Sequence, residues 1–184
     1  EWREYEYAEW KDRKPFYSGS KKLTNLEGIT STFRITENNK ILIANSSYKN
    51  DQYLYELDPD KNKLKKIHYG EHYSLSESID DNIILFTKSI NYIDGLKYSD
   101  LFSYNKNNGI ERKLTRKKRI NYIDFSTRSS FGLLVSNTIN DVKLYKTKFY
   151  KGNLDKLTEI NVPESILFID QISLSPDDNM LGFA

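Results

Sequence analysis

Residues 41–67 read Ile41-Leu42-Ile43-Ala44-Asn45-Ser46, a polar loop, Gln52-Tyr53-Leu54-Tyr55-Glu56-Leu57, the turn Asp58-Pro59-Asp60-Lys61-Asn62-Lys63, and Leu64-Lys65-Lys66-Ile67. The apolar runs are too short for helices and the right length for strands. Tyr53, Tyr55 and Leu57 alternate with Leu54 and Glu56, which is the period of a strand, while Pro and Asn in the connecting stretch form a turn. A further strand over Thr30 to Thr36 and a turn at Glu37-Asn38-Asn39-Lys40 precede this stretch. Four strand signals therefore follow one another, each separated by a turn.

The same order recurs along the chain. Apolar runs return at Ile83-Ile84-Leu85-Phe86, Gly132-Leu133-Leu134-Val135 and Leu181-Gly182-Phe183-Ala184. A Leu-aromatic pair stands at Leu54-Tyr55, Leu101-Phe102 and Leu144-Tyr145. A closing marker stands at Leu23-Thr24, Lys66-Ile67, Leu114-Thr115 and Leu157-Thr158. The markers step together through about 45 residues, a period typical of four-stranded propeller blades. A β-sandwich would lose this step. The sequence thus predicts an all-β chain: a partial β-propeller of four-stranded antiparallel blades, about three and a half in number, behind a short N-terminal helix. The predicted divisions are a helix and linker over 1–17 and a propeller segment over 18–184. The repeats within it are 24–67, 68–115, 116–158 and a truncated fourth over 159–184. The fourth stops inside its second strand, so further blades of the same parent chain are expected.

Composition agrees. Three Ala stand against 14 Tyr, 9 Phe and 18 Ile in 184 residues, a balance that disfavours helix and suits a pleated surface. The formal net charge of +2 argues against a dedicated nucleic-acid binder. The absence of Cys excludes disulfides, thiolate metal sites and a cysteine nucleophile. No apolar run reaches the roughly 18 residues of a membrane-spanning helix. Trp2, Tyr5 and Trp10 fall on one side of a helical wheel that Pro15 ends, which predicts the N-terminal helix.

Ser175-Pro176-Asp177-Asp178-Asn179-Met180-Leu181-Gly182-Phe183 resembles the Ser-Pro-Asp-Gly turn and apolar strand of TolB-like propeller repeats. Leu54-Tyr55-Glu56-Leu57-Asp58 and Leu144-Tyr145 are similar to that family's third strand, and Lys113-Leu114-Thr115 and Lys156-Leu157-Thr158 to its closing strand. The resemblance covers roughly residues 20–184. The earlier turns depart from the pattern, and none keeps the Gly, although Asn39 and Asp178 tolerate a positive φ better than most residues. The resemblance implies a periplasmic or otherwise extracytoplasmic, non-catalytic scaffold. Its work is protein–protein interaction, with a protein partner, or gating of an attached domain. The N-terminal segment is also similar to extracytoplasmic proteins with a zinc peptidase domain before a TolB-like propeller. The alternative it implies is an accessory propeller whose catalytic domain lies upstream.

No catalytic, cofactor-binding or metal residue is assigned from the sequence, and no cofactor is expected. His68-Tyr69-Gly70-Glu71-His72 fits the inverted zinc-peptidase pattern, which needs both His on one helical face. Gly70 sits mid-motif and the segment follows a closing strand, so it reads as an exposed inter-blade loop. Asp58 to Asn62 begins like a calcium loop, but Lys63 and Tyr69 occupy the positions that require Gly and Glu. Arg116-Lys117-Lys118-Arg119 reads as a solvated loop that could meet a partner's acidic surface. Asn45-Ser46-Ser47 is a glycosylation sequon, with meaning only in a eukaryotic secretory setting. No Gly-x-Gly phosphate loop and no Gly-x-Ser-x-Gly elbow occurs. Tyr53, Tyr55 and Tyr145 fall on strand positions and read as packing residues.

Overall fold

The computed structural model describes residues 23–47, 52–80, 82–138, 141–175 and 177–184; the helix predicted within 1–17 lies outside them. The described residues build a row of antiparallel sheets. The first holds β1 (Ile29–Ile35), β2 (Ile41–Ser46), β3 (Gln52–Asp58) and β4 (Lys63–Tyr69) in sequence order. The second holds β5 (Ser74–Glu77), β6 (Ile83–Asn91), β7 (Lys97–Asn105) and β8 (Glu111–Lys113). The third holds β9 (Ile120–Phe125), β10 (Phe131–Thr138) and β11 (Asp141–Tyr150). Its outer strand is split into β12 (Asn153–Leu154) and β13 (Thr158–Ile160), both paired with β11. A two-stranded piece, β14 (Ile172–Leu174) and β15 (Leu181–Phe183), follows. The leading strands β1, β5, β9 and β14 stand beside one another. This is a partial β-propeller, with each leading strand on the inner side of its blade.

The boundaries of the repeats differ in detail from the sequence reading. The first sheet runs past Ile67 to Tyr69, and Leu114-Thr115 lies just beyond β8 rather than in a closing strand. Leu23 to Glu27 carries no strand.

The continuous apolar runs are explained by burial on both faces. In β6, Ile84 and Phe86 pack toward Leu42, Ala44 and Leu54 of the first sheet. Ile83 and Leu85 pack the other way, against Ile120, Ile123 and Phe125 of the third. In β10, Leu134 joins that second layer while Leu133 and Val135 face Ile169 and β14. Each fully buried Leu, Ile or Phe contributes about 1.5–3 kcal/mol.

The inner strands do not form backbone ladders with one another, so the free edge of β9 needs side-chain acceptors. Ser74 Oγ accepts the Ile123 N–H at 3.1 Å and Ser76 Oγ accepts the Phe125 N–H at 2.8 Å. Asp124 Oδ2 in turn accepts the Leu174 N–H at 2.7 Å. The Arg34 guanidinium reaches from the first blade to Asp124 Oδ1 of the third at 2.5 Å. Asn39 and Asp178 close their turns with φ of +56° and +59°.

Gly132 lies opposite Phe125 in the β9–β10 register, where a Cβ would sit 2.2 Å from the buried Phe125 ring. That ring is wedged beside Phe149 and cannot swing clear. Gly132→Ala is therefore expected to destabilise the protein by about 1–3 kcal/mol through overpacking. Chemical unfolding checks this, and an unchanged midpoint would show that the blade interface yields freely.

Candidate functional site

His68 reaches the blade interface because of a β-bulge. In the β3–β4 ladder Tyr55 pairs with Lys66 but Leu54 pairs with His68, so Ile67 is the extra residue. The slip turns His68 to the side of the buried Leu54, where regular alternation would have sent it to the side of Tyr53. Its ring packs on Tyr104 at 4.5 Å and Phe86 at 5.4 Å, and His72 lies 4.6 Å from Phe86. The expectation of an exposed loop is thus corrected: His72 is 3% exposed.

A polar chain runs through this aromatic layer. Lys88 Nζ donates to both oxygens of Glu111 at 2.6 and 2.7 Å. Glu111 Oε2 lies 3.1 Å from His68 Nε2, and His68 Nδ1 lies 2.9 Å from His72 Nε2. The carboxylate requires an N–H from His68 Nε2, which leaves Nδ1 as an acceptor for the His72 Nε2–H. Burial, the neighbouring His68 and Lys88 hold His72 far below the ordinary imidazole range, at about 3. Burial also lowers His68, with Glu111 opposing. Both rings are neutral at pH 7.

Two features separate this cluster from a zinc-peptidase helix. His68 lies within a strand, and the Glu71 carboxylate is engaged by the Tyr73 hydroxyl at 2.6 Å. Among the described residues no three His, Cys, Asp or Glu side chains are placed to hold a metal ion. A cavity of about 130 Å³ beside His72 is lined by Asn45, Gln52, Glu71 and Tyr73. Asn45 is 5% exposed within β2, so the sequon asparagine has no room for a glycan.

The basic run forms an ordered surface. Arg116 to Arg119 connects β8 to β9 and is exposed, between the buried Thr115 and Ile120. Lys117 and Arg119 adopt φ of +55° and +54°. Beneath them Asp100, fully buried on β7, accepts the Lys117 and Lys118 N–H groups at 3.0 Å each and the Thr115 hydroxyl at 2.9 Å, together with the Tyr92 hydroxyl. Lys113 and Lys117 lie 4.9 and 5.3 Å over the Tyr92 ring, and Arg119 lies 5.0 Å over Tyr98. The Lys117 ammonium is also paired with Asp94 at 2.5 Å. The buried carboxylate is the part that sequence reading missed; an isolated Asp in Tyr98-Ser99-Asp100-Leu101 gives no signal by itself.

Asp58 caps its own turn by accepting the Lys61 N–H at 3.0 Å, as a hairpin residue does. Tyr53 and Tyr55 are half-buried, with Tyr53 packed edge-on to Tyr69 at 5.2 Å. Tyr145 packs against the second core layer.

The order of blades, the inner seam and the interface packing define a propeller, and comparison with solved structures agrees. TolB from Acinetobacter baumannii superposes with a TM-score of 0.62 at 18% identity, over 86% of this chain and 38% of that one. A chain of a nidogen/laminin complex gives 0.59 at 8% identity, over 81% and 53%. A prolyl endopeptidase gives 0.53 at 9% identity, over 78% and 23%. The fold is a TolB-like β-propeller, and the chain spans 38% of the length of the Acinetobacter TolB. No family model matches the chain, and no curated protein sequence matches it. Among the described residues no helix is long and apolar enough to cross a membrane.

Proposed function

We propose that this chain is a non-catalytic propeller scaffold that works by protein–protein contact, with a separate partner or with an attached domain whose access it gates. The observation that carries this is the Asp100-braced basic loop. Lys113, Lys117 and Arg119 stack over Tyr92 and Tyr98, and the backbone that carries Lys117 is braced by Asp100, which lowers the ordering cost of docking. Aromatic and cationic side chains of this kind anchor interfaces, and an acidic surface complements them. The nidogen/laminin structure is of a protein complex, and the prolyl endopeptidase structure is described in terms of inter-domain dynamics in catalysis and specificity. Both support contact and gating as uses of this fold. The TolB-like resemblance supports an extracytoplasmic setting and further blades in the parent chain. The similarity of the N-terminal segment to proteins with a zinc peptidase domain before such a propeller supports the second reading, a propeller accessory to an upstream zinc metallopeptidase domain.

The test places a photo-crosslinking residue at Arg119 of the full-length protein, with the same residue at Lys63 in the β3–β4 hairpin as control. A discrete adduct from position 119 that is lost with Lys117→Glu is the expected result. No adduct from position 119, or one that Lys117→Glu leaves unchanged, would overturn the reading.

A further inference from the structure

The opposite face of the propeller carries a second polar site. A cavity of about 330 Å³ lies in the groove between the second and third blades. Its walls come from the turn before β6, the ends of β7 and β8, and the β11–β12 turn at Lys151-Gly152. This volume falls in the range of small-molecule sites.

The polar lining is almost entirely made of donors. Asn105 Oδ1 is occupied by the N–H groups of Asn107 and Asn108 at 2.9 and 3.4 Å, and Asn108 Oδ1 by the Ile110 N–H at 3.0 Å. These turn bonds fix both amides, so each side chain has its NH₂ group left for a ligand. Ser103 is 5% exposed and lines the cavity, and its hydroxyl makes no hydrogen bond among the described residues. Arg112 and Lys151 also line it, and neither forms an ion pair among the described residues. Lys151 is presented by a left-handed turn conformation with φ of +50°, and its ammonium lies 5.1 Å over the Tyr150 ring. The Asp80 carboxylate at the wall already accepts the Asn82 N–H at 3.1 Å. Two cations against one occupied carboxylate leave the site positive.

A concave site with a planar guanidinium, an ammonium, a buried hydroxyl and two amide NH₂ groups needs acceptors and negative charge. We infer that this inter-blade cavity binds a small oxyanion-bearing molecule, with Arg112 and Lys151 as its principal anchors and Ser103 as its buried donor. The carboxylate and phosphate forms of such a ligand share this chemistry, and the test separates them.

Isothermal titration of the full-length protein with citrate and, separately, with inorganic phosphate reads the site directly. Saturable binding of citrate alone assigns carboxylates, and of phosphate alone assigns phosphoryl groups. With the ligand that binds, Arg112→Gln and Lys151→Gln are each expected to weaken affinity about 10-fold or more, the loss of a charge-assisted hydrogen bond. Lys63→Gln, at the start of β4 in the first blade, is expected to leave affinity unchanged. Arg112 and Lys151 are exposed and unpaired, so both variants should keep the parent's unfolding midpoint. Binding of neither anion, equal affinity in both variants, or an equal loss with Lys63→Gln would overturn the assignment.

Discussion

Replacing Asp100 with Ala is expected to lower stability by about 2–4 kcal/mol, the cost of leaving buried donors without their acceptor. The residue is fully buried, and its two oxygens receive two hydroxyl and two backbone N–H donors. Truncation leaves those donors facing a void, at about 1–3 kcal/mol for each that water does not reach. Lys117 and Lys118 are exposed and regain water readily, while Thr115 is buried and does not. Thr115 Oγ1 also accepts the Leu101 N–H at 2.9 Å, so the damage spreads into β7. Lys117 and Arg119 hold left-handed conformations that cost of order 1 kcal/mol each unless the surroundings fix them. Without Asp100 the loop backbone loses its brace, and the basic surface over Tyr92 and Tyr98 loosens with it. Asp100→Asn keeps one acceptor oxygen and should lie between the wild type and Asp100→Ala. Urea unfolding followed by far-UV circular dichroism gives the ordering. A loss below about 1 kcal/mol for Asp100→Ala would mean that the network is not what braces the loop.

What was readable in the sequence follows a physical divide. The blades are specified by local signals: turn residues, strand period and recurrent Leu positions. Leu54, Leu101 and Leu144, read as the third-strand markers, are all buried at the blade interfaces. The polar sites are specified by long-range register instead. Ser74 and Ser76 meet β9 from the preceding blade, Asp124 meets both Arg34 and β14, and no short window holds any of these pairs. His68 shows the limit most plainly. Its pattern with His72 was visible, but the bulge at Ile67 decides which face it occupies, and a one-residue slip leaves no composition signature. Gly152 is a turn residue by type, whereas the meeting of Lys151 with Arg112 depends on how the second and third blades pack.

The buried His68–His72 pair makes the protein acid-sensitive. His72 titrates near pH 6.5 in an unfolded chain and near 3 in the folded one, because burial removes the solvation of its charged form. Above pH 6.5 both states hold it neutral, so it contributes no pH dependence. As pH falls from 6.5 toward 3 the unfolded state binds a proton that the folded state refuses, and stability drops by about 1.4 kcal/mol per pH unit. By pH 5 the loss from this group is about 2 kcal/mol. His68, lowered in the same direction, adds to it, although Glu111 moderates its shift. The expected profile is flat from pH 8 to pH 7 and then falls before most carboxylates begin to titrate. His72→Gln should reduce the slope between pH 6.5 and pH 5 whatever it does to the absolute stability, so the comparison survives a destabilised variant. Carboxylate titration cannot produce that difference, since the substitution leaves every carboxylate in place. Equal slopes for the two proteins would show that His72 is charged in the fold, and the neutral pair would then be excluded.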